Sequence, residues 1–296
     1  MKKRRKPARA PVRKPIKEQG AFVKRGRGLT KVALVYPNTY MAGMSSLGFQ
    51  TVYRLANEIE FLACERVFLP DKPKGRGKKA APARSLETGL CLNQFDVILF
   101  SISFENDFFH LVQLLGETGI PLRSSDRNHI HPLVAAGGVA CLLNPEPIAP
   151  FMDLFLLGEA ECLLRPFFEL FKNTPDRTVL LKTIESRIKG SYVPARHRPI
   201  LYGQAVPPET KRIEIQYLKN LDRIQTHTSV LSEDTAFKNI FLVETMKGCP
   251  HGCRFCTAGF ALRPPRLYPG QGVCQIMDKA LGKTDKIGLV SSAILD

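Results

Sequence analysis

The chain has 296 residues, 44% hydrophobic and 24% charged, and 43 lysines and arginines against 27 acids give it a formal charge of +16. That length is enough for one or two buried cores, and the ordinary 22 glycines and 22 prolines exclude collagen-like and low-complexity classes. No apolar run reaches the roughly 18–20 residues that cross a bilayer. The start lacks the apolar stretch of a secretory signal, so the expectation is a cytoplasmic protein without a membrane contact.

The charge is concentrated at the start. Residues 1–28 carry twelve lysines and arginines, opposed by Glu18 alone. A segment that cannot bury apolar surface and repels itself is expected to be a disordered basic tail. Two readings stay open for it. It is an arm that contacts RNA or DNA by displacing phosphate counterions, or a solvated extension, which the lack of interleaved stacking aromatics favours. Pro7, Pro11 and Pro15 break the amphipathic helix of a mitochondrial transit peptide.

From Leu29 strand and helix signals alternate. Lys31–Tyr36 is a β-branched apolar run that reads as a strand, followed by a turn-rich loop over residues 37–46. Leu47, Val52, Leu55 and Ile59 then fall near helical spacing, and Leu62–Phe68 reads as a second strand. Asp71–Arg84, rich in lysine, glycine, proline and alanine, reads as a solvated loop. Asp96–Ser103 is a buried strand, with a helix over Asn106–Glu117. Pro132–Ala136 runs into Gly137-Gly138, Asp153–Leu157 runs into Gly158-Glu159-Ala160-Glu161, and Cys162–Phe171 is helical. Thr174–Gly190 suggests one more helix and 191–238 a connector, after which Phe241–Val243 restarts the strand pattern. A helix over Gln275–Leu281 and a strand over Lys286–Val290 complete the series.

Short apolar strands alternating with helices imply an α/β fold whose parallel sheet is covered on both faces. Ligands of such sheets sit beyond the carboxyl ends of the strands. The polar or glycine-rich loops at 38–48, 101–105, 137–138 and 158–161 all follow strands, so a binding crevice is expected along that edge. No GxGxxG follows the first strand and no GxxxxGK(S/T) occurs, which removes the main support for dinucleotide and P-loop readings.

Of the eight cysteines, Cys64, Cys91, Cys141 and Cys162 are scattered through mostly apolar sequence, where cysteine behaves as a small hydrophobe. Cys249, Cys253 and Cys256 form a CxxxCxxC loop after the strand at 241–243, with Gly248 and Gly252 supplying the curvature that converges three sulfurs. Three thiolates suit an iron–sulfur cluster that leaves one iron without a protein ligand. An open position on a Lewis-acidic metal binds and activates a small molecule. The alternative is zinc, with His251 or Cys274 as fourth ligand, although structural zinc sites more often pair two short cysteine spacings and no second half is present.

With aromatic Phe255 just before the last cysteine, this loop resembles the cluster motif of the radical S-adenosylmethionine superfamily. The upstream region resembles the Rossmann-like, cobalamin (B12)-binding-type domain that precedes the core in many members. That likeness rests on Tyr36-Pro37-Asn38-Thr39-Tyr40 with Gly43-Met44-Ser45, on residues 101–105, on Gly137-Gly138 with Asn144-Pro145-Glu146-Pro147, and on Gly158-Glu159-Ala160-Glu161. The resemblance covers about 31–296. It divides the chain into a basic tail (1–28), a cobalamin-binding-type α/β domain (29–190), a connector (191–238) and the N-terminal part of a radical-SAM partial (β/α) TIM-like barrel (239–296).

The resemblance implies that Cys249, Cys253 and Cys256 hold a 4Fe–4S cluster whose fourth iron chelates S-adenosylmethionine. One-electron reduction then gives methionine and a 5′-deoxyadenosyl radical, with a reductant such as flavodoxin or ferredoxin as partner and an unknown substrate. The cofactor-contacting residues it implies are Asn38, Gly43, Ser103, Gly137, Gly138, Gly158, Glu159 and Phe255, the last shielding the cluster, lying near the adenine, or packing the loop. Arg254 and Lys247 either tune the cluster or are solvated. Cobalamin is a further cofactor the resemblance admits, but no DxHxxG supplies a histidine beneath cobalt, and His110, His129 and His131 lack that context. Only 40 residues follow Cys256, whereas a full barrel takes about 200–250. The glycines and glutamate of the family's amino-group loop are missing near residues 291–293, so the chain reads as the front of a longer or shortened protein. Two other classes remain: a noncatalytic nucleic-acid-binding module with a structural metal, and a cobalamin carrier or sensor.

Overall fold

Alternate residues of the run TKVALVY feed two different cores, which is why it is apolar throughout rather than every second residue. In the computed structural model, which describes residues 16–70, 81–197, 212–222 and 224–293, this run is strand β2, Thr30–Tyr36, following the short β1, Glu18–Gln19. Val32, Leu34 and Tyr36 join one buried cluster, and Ala33 and Val35 the other. The strands β3 (Leu62–Phe68), β4 (Val97–Ser101), β5 (Leu133–Gly137), β6 (Leu154–Leu156) and β7 (Ser191–Tyr192) complete a six-stranded sheet in the order β3-β2-β4-β5-β6-β7. All neighbours are parallel except β7, which runs antiparallel to β6. The sheet is therefore the parallel-rich α/β sheet expected.

Helices cover both faces. On one lie α2 (Leu47–Glu58), α5 (Ala160–Asn173) and α6 (Arg177–Arg187), contributing Phe49, Tyr53, Leu163, Phe167 and Ile184 to the core. On the other lie α3 (Asp107–Gly116) and α4 (Val139–Leu143), with Leu111, Leu114 and Cys141. Starts are written locally: Ser46 and Asp176 accept backbone N–H groups of Phe49 and Val179 and cap α2 and α6. The loop at 37–46 departs from expectation by holding a short helix, α1 (Tyr40–Met44), capped by Thr39.

Two polar residues sit deep in β3. Arg66 is 1% exposed and pairs with Glu87 and Glu18, both at 2.7 Å, while the Thr88 hydroxyl donates to Glu65 at 2.6 Å. Glu18 also accepts from the Tyr40 hydroxyl at 2.6 Å. Residues 16–28 are thus not the free tail expected of them. β1 pairs antiparallel with β8 (Leu231–Ser232), Phe22 packs edge-on against Tyr53, and Lys24 donates to the Ile59 carbonyl at 2.8 Å. The apolar Phe22 and the acid Glu18 supply the docking that a count of basic residues hides. Residues 1–15, and with them most of the basic tail and its RNA contact, lie outside the described residues, as does 71–80 of the solvated loop.

After the connector the pattern restarts. β9 (Phe241–Glu244) pairs in parallel with β12 (Ile287–Val290), and α8 (Gly270–Asp278) crosses between them. α8 begins five residues before the helix expected at 275–281, directly after Pro269, whose fixed φ suits a helix start. Between β9 and α8 a hairpin of β10 (Met246–Lys247) and β11 (Arg266–Leu267) carries the cysteine loop and a one-turn helix, α7 (Ala258–Ala261). The core here is small: Leu231, Phe241, Val243, Ile276 and Ala280. No helix among the described residues is long and apolar enough to cross a membrane.

Candidate functional site

The carboxyl ends of β4, β5 and β6 open onto a cavity of about 330 Å3. All four strand-end loops picked out in the sequence reach it, through Ser46 and Gly48, Ser101 and Ser103, Gly137 and Gly138, and Gly158 to Glu161. Its remaining walls come from two distant stretches, Ile215–Tyr217 of the connector and Ala261–Arg263 with Arg266 of the cysteine hairpin. The wall is mostly apolar, with Phe49, Leu99, Leu142, Leu156 and Leu164 prominent. A volume of this size suits a small organic ligand.

Five of the eight expected cofactor residues border this cavity: Ser103, Gly137, Gly138, Gly158 and Glu159. Two of the glycines have a packing reason as well. Gly138 (φ +103°) and Gly158 (φ +151°) hold conformations that disfavour a side chain, and a Cβ on them would strike the backbone of Ile102 and Gln216. Asn38 and Gly43 do not line the cavity. Asn38 donates from Nδ2 to Asp107 at 2.8 Å, and Gly43 lies against the rings of Tyr36 and Phe68. Phe255 is 92% exposed and also stands apart from the cavity.

Glu159 is engaged by the protein itself. Its carboxylate forms two bonds with the Arg266 guanidinium, at 2.7 and 3.0 Å, and accepts Leu218 N–H at 2.7 Å. Arg266 also donates to the Leu218 carbonyl at 2.6 Å and lies over the Tyr217 ring at 5.1 Å. Two residues on, Glu161 Oε1 sits 3.1 Å from Lys247 Nζ, and Glu244 stands 3.4 Å from the same ammonium. Lys247 is therefore paired and not solvated. Burial works against its charge, and Glu161 and Glu244 overcome that and hold its pKa above the usual lysine range. One loop, Gly158–Glu161, thus grips β10 through Lys247 and β11 through Arg266, the two strands that emit and receive the cysteine loop. The polar residues of that loop were visible in the sequence; Tyr217 and Arg266 carried no signal, because Arg266 meets Tyr217 about 50 residues back and Glu159 107 residues back.

Within the loop, Cys249 is buried, Cys256 half-buried and Cys253 exposed, all as free thiols. Gly248 has φ +79° and packs on the Leu262 carbonyl, where a Cβ would collide. The Arg263 guanidinium donates to the carbonyls of Gly259, Pro250 and His251, and the Ser292 hydroxyl to that of Gly248. The loop is thereby folded onto the segment that walls the cavity. By contrast, burial raises the Cys64 thiol, on β3, well above its usual range and pushes that of Cys141, on α4, up to about 12, which favours the protonated form of both. Three soft donors on one glycine-flanked loop fit an iron–sulfur cluster chemically. Among the described residues no three His, Cys, Asp or Glu side chains are gathered closely enough to hold a metal, so the three sulfurs are not converged here. Cys274, on α8, is exposed.

Residues 48–194, which run from α2 past β7 and leave out β2, match the family described as radical SAM proteins, N-terminal. The match supports a radical SAM superfamily protein. The chain is also 25% identical over 272 residues to an uncharacterized protein of Methanocaldococcus jannaschii. That alignment takes in 90% of this chain and 50% of the other, so the chain spans about half the length of the curated relative it matches. No solved structure matches it. The family match ends at residue 194, before the cysteine hairpin.

Proposed function

We propose that this chain belongs to a protein that binds a 4Fe–4S cluster through Cys249, Cys253 and Cys256 and cleaves S-adenosylmethionine reductively, with a flavodoxin- or ferredoxin-type protein as electron donor. The single observation that carries this reading is the placement of a CxxxCxxC loop at the carboxyl end of β9, in a β–α–β unit that reads as the opening of a partial barrel, behind a domain of the matching family. When bound, the cluster supplies the electron that turns S-adenosylmethionine into methionine and a 5′-deoxyadenosyl radical. The chain's own share is placement. Glu159 and Glu161 hold the hairpin through Arg266 and Lys247; Arg263 and Ser292 fold the loop; and the apolar cavity beside it excludes water from a bound molecule.

Cobalamin fits less well. A cavity of about 330 Å3 encloses only part of a corrin with its side chains, and no histidine among the described residues lines it. The likeness of the sheet domain to Rossmann-like cobalamin-binding domains is read here as one of fold, and no step is routed through that cofactor.

The test is anaerobic iron–sulfur reconstitution followed by low-temperature EPR of the reduced protein, with and without S-adenosylmethionine. A 4Fe–4S signal that shifts on adding S-adenosylmethionine, and that disappears in Cys249→Ala, Cys253→Ala and Cys256→Ala, is the expected result. Stoichiometric zinc with no cluster would overturn the reading in favour of a structural metal.

A further inference from the structure

The cavity is walled jointly by the sheet domain and by the segment that follows the cysteines, and nothing above says what occupies it. Its chemistry is uneven. Most of the wall is aliphatic or aromatic, which selects for an apolar body. The outstanding polar group is Glu161, whose side chain is only 3% exposed although it borders the cavity. Glu161 Oε1 is fully buried and meets only the Lys247 ammonium, 3.1 Å away. No hydrogen bond from any other described residue reaches either oxygen, in contrast to Glu159 two positions earlier, whose oxygens accept three.

A buried carboxylate whose neighbouring donor is one ammonium keeps acceptor positions that a ligand can fill. Lys247 already balances the charge, so a neutral donor and not a second cation suits those positions. Ser101, at the carboxyl end of β4, also borders the cavity, and the glycine backbones of Gly137 and Gly158 permit close approach of a ligand.

We infer that this cavity is a substrate pocket for a neutral, largely apolar molecule that presents an N–H or O–H to Glu161. The inference rests on the radical reading for the word substrate, since the pocket's far wall, Ala261–Arg263, is the continuation of the cysteine loop and sets the bound molecule beside it. The binding chemistry itself does not depend on a cluster.

The experiment is a ligand-observed NMR titration of the full chain with indole and with 1-methylindole, which is more apolar but lacks the donor. Indole should bind saturably and 1-methylindole at least about tenfold more weakly, the difference expected for one hydrogen bond to a charged acceptor. Glu161→Gln, which keeps the shape and leaves Glu244 to balance Lys247, should weaken indole several-fold. Leu142→Trp, which fills the cavity, should abolish binding. Equal affinity for the two probes, no saturable indole binding, or undiminished binding by Leu142→Trp with an unchanged melting temperature would each overturn the proposal. Repeating the titration with Cys253→Ala separates the two readings. Indole binding that survives there while no cluster forms in the parent chain removes the radical chemistry alone, and a cluster without indole binding removes the pocket alone.

Discussion

The six-stranded sheet and the β9–β12 pair are written in the same kind of sequence, short apolar runs followed by glycine-bearing turns, yet they end in different states. Val32, Leu34, Val97 and Val134 of the large sheet lose all exposure, whereas Ile287 and Leu289 of β12 keep 39% and 49%. Propensity does not separate them; coverage does. The large sheet has helices on both faces, while β9 and β12 have α8 and a core of five buried residues, of which Ile276 keeps 9% exposure. Buried area is thus unevenly divided between the two regions among the described residues. The sheet domain holds the buried area, and the hairpin that carries the cysteines is fixed to it by a few charged ties, the arrangement expected of a region that opens at lower free energy.

That division can be broken at its strong end first. Arg66→Ala leaves Glu87 buried without its cation and frees Glu18, and should cost about 3–5 kcal/mol of global stability in denaturant unfolding. A loss below about 1 kcal/mol would mean the sheet does not depend on that network.

The next effect is a pH dependence confined to the smaller region. His227 stacks on Phe241 and its Nδ1 lies 3.0 Å from the Gln225 carbonyl. Burial lowers its pKa from 6.5 to about 4, with Arg54, Lys279 and Lys283 adding repulsion. Because the folded pKa is the depressed one, the unfolded chain takes up the proton first as pH falls. The contribution is complete above pH 6.5 and is lost on the way down to about pH 4. Discounted for partial solvent contact it amounts to roughly 2 kcal/mol. Unfolding curves recorded across this range should lose that slope in His227→Gln.

Glu159→Ala removes the bidentate partner of Arg266 and should cost about 1–2 kcal/mol. The informative readout is limited proteolysis: cleavage in the cysteine hairpin should quicken while the sheet's unfolding midpoint hardly moves. Equal sensitivity of both regions would remove the distinction drawn here. Smallest of all, Leu289→Ala on the half-exposed face of β12 should change stability by less than about 0.5 kcal/mol.

The sheet was readable from sequence because each strand is continuous and each turn is marked. Leu62–Phe68 falls on the observed strand residue for residue, and Asp96–Ser103 encloses Val97–Ser101. The crevice was readable as a place, since ligands of parallel sheets gather at one edge, and five of its expected residues do line it. What sequence did not give was the role of each. Gly43 answers to two aromatic rings, Asn38 to Asp107, and Glu159 to an arginine on β11, and none of these pairings is local. The apolar docking of Phe22 was masked by surrounding charge for the same reason: its partner Tyr53 lies 31 residues on.

The pairing of β1 with β8 sets an order of events. Glu18 is opposite Ser232, so the strand leaves the ribosome long before its partner exists. At about 5–20 residues per second the delay is roughly 10–40 s. The Glu18–Arg66 pair and the contact of Phe22 with Tyr53 need only the first part of the chain and can tether the arm meanwhile. A strand made before the large sheet therefore closes only after it, and that contact joins β1 to the segment leading directly into β9.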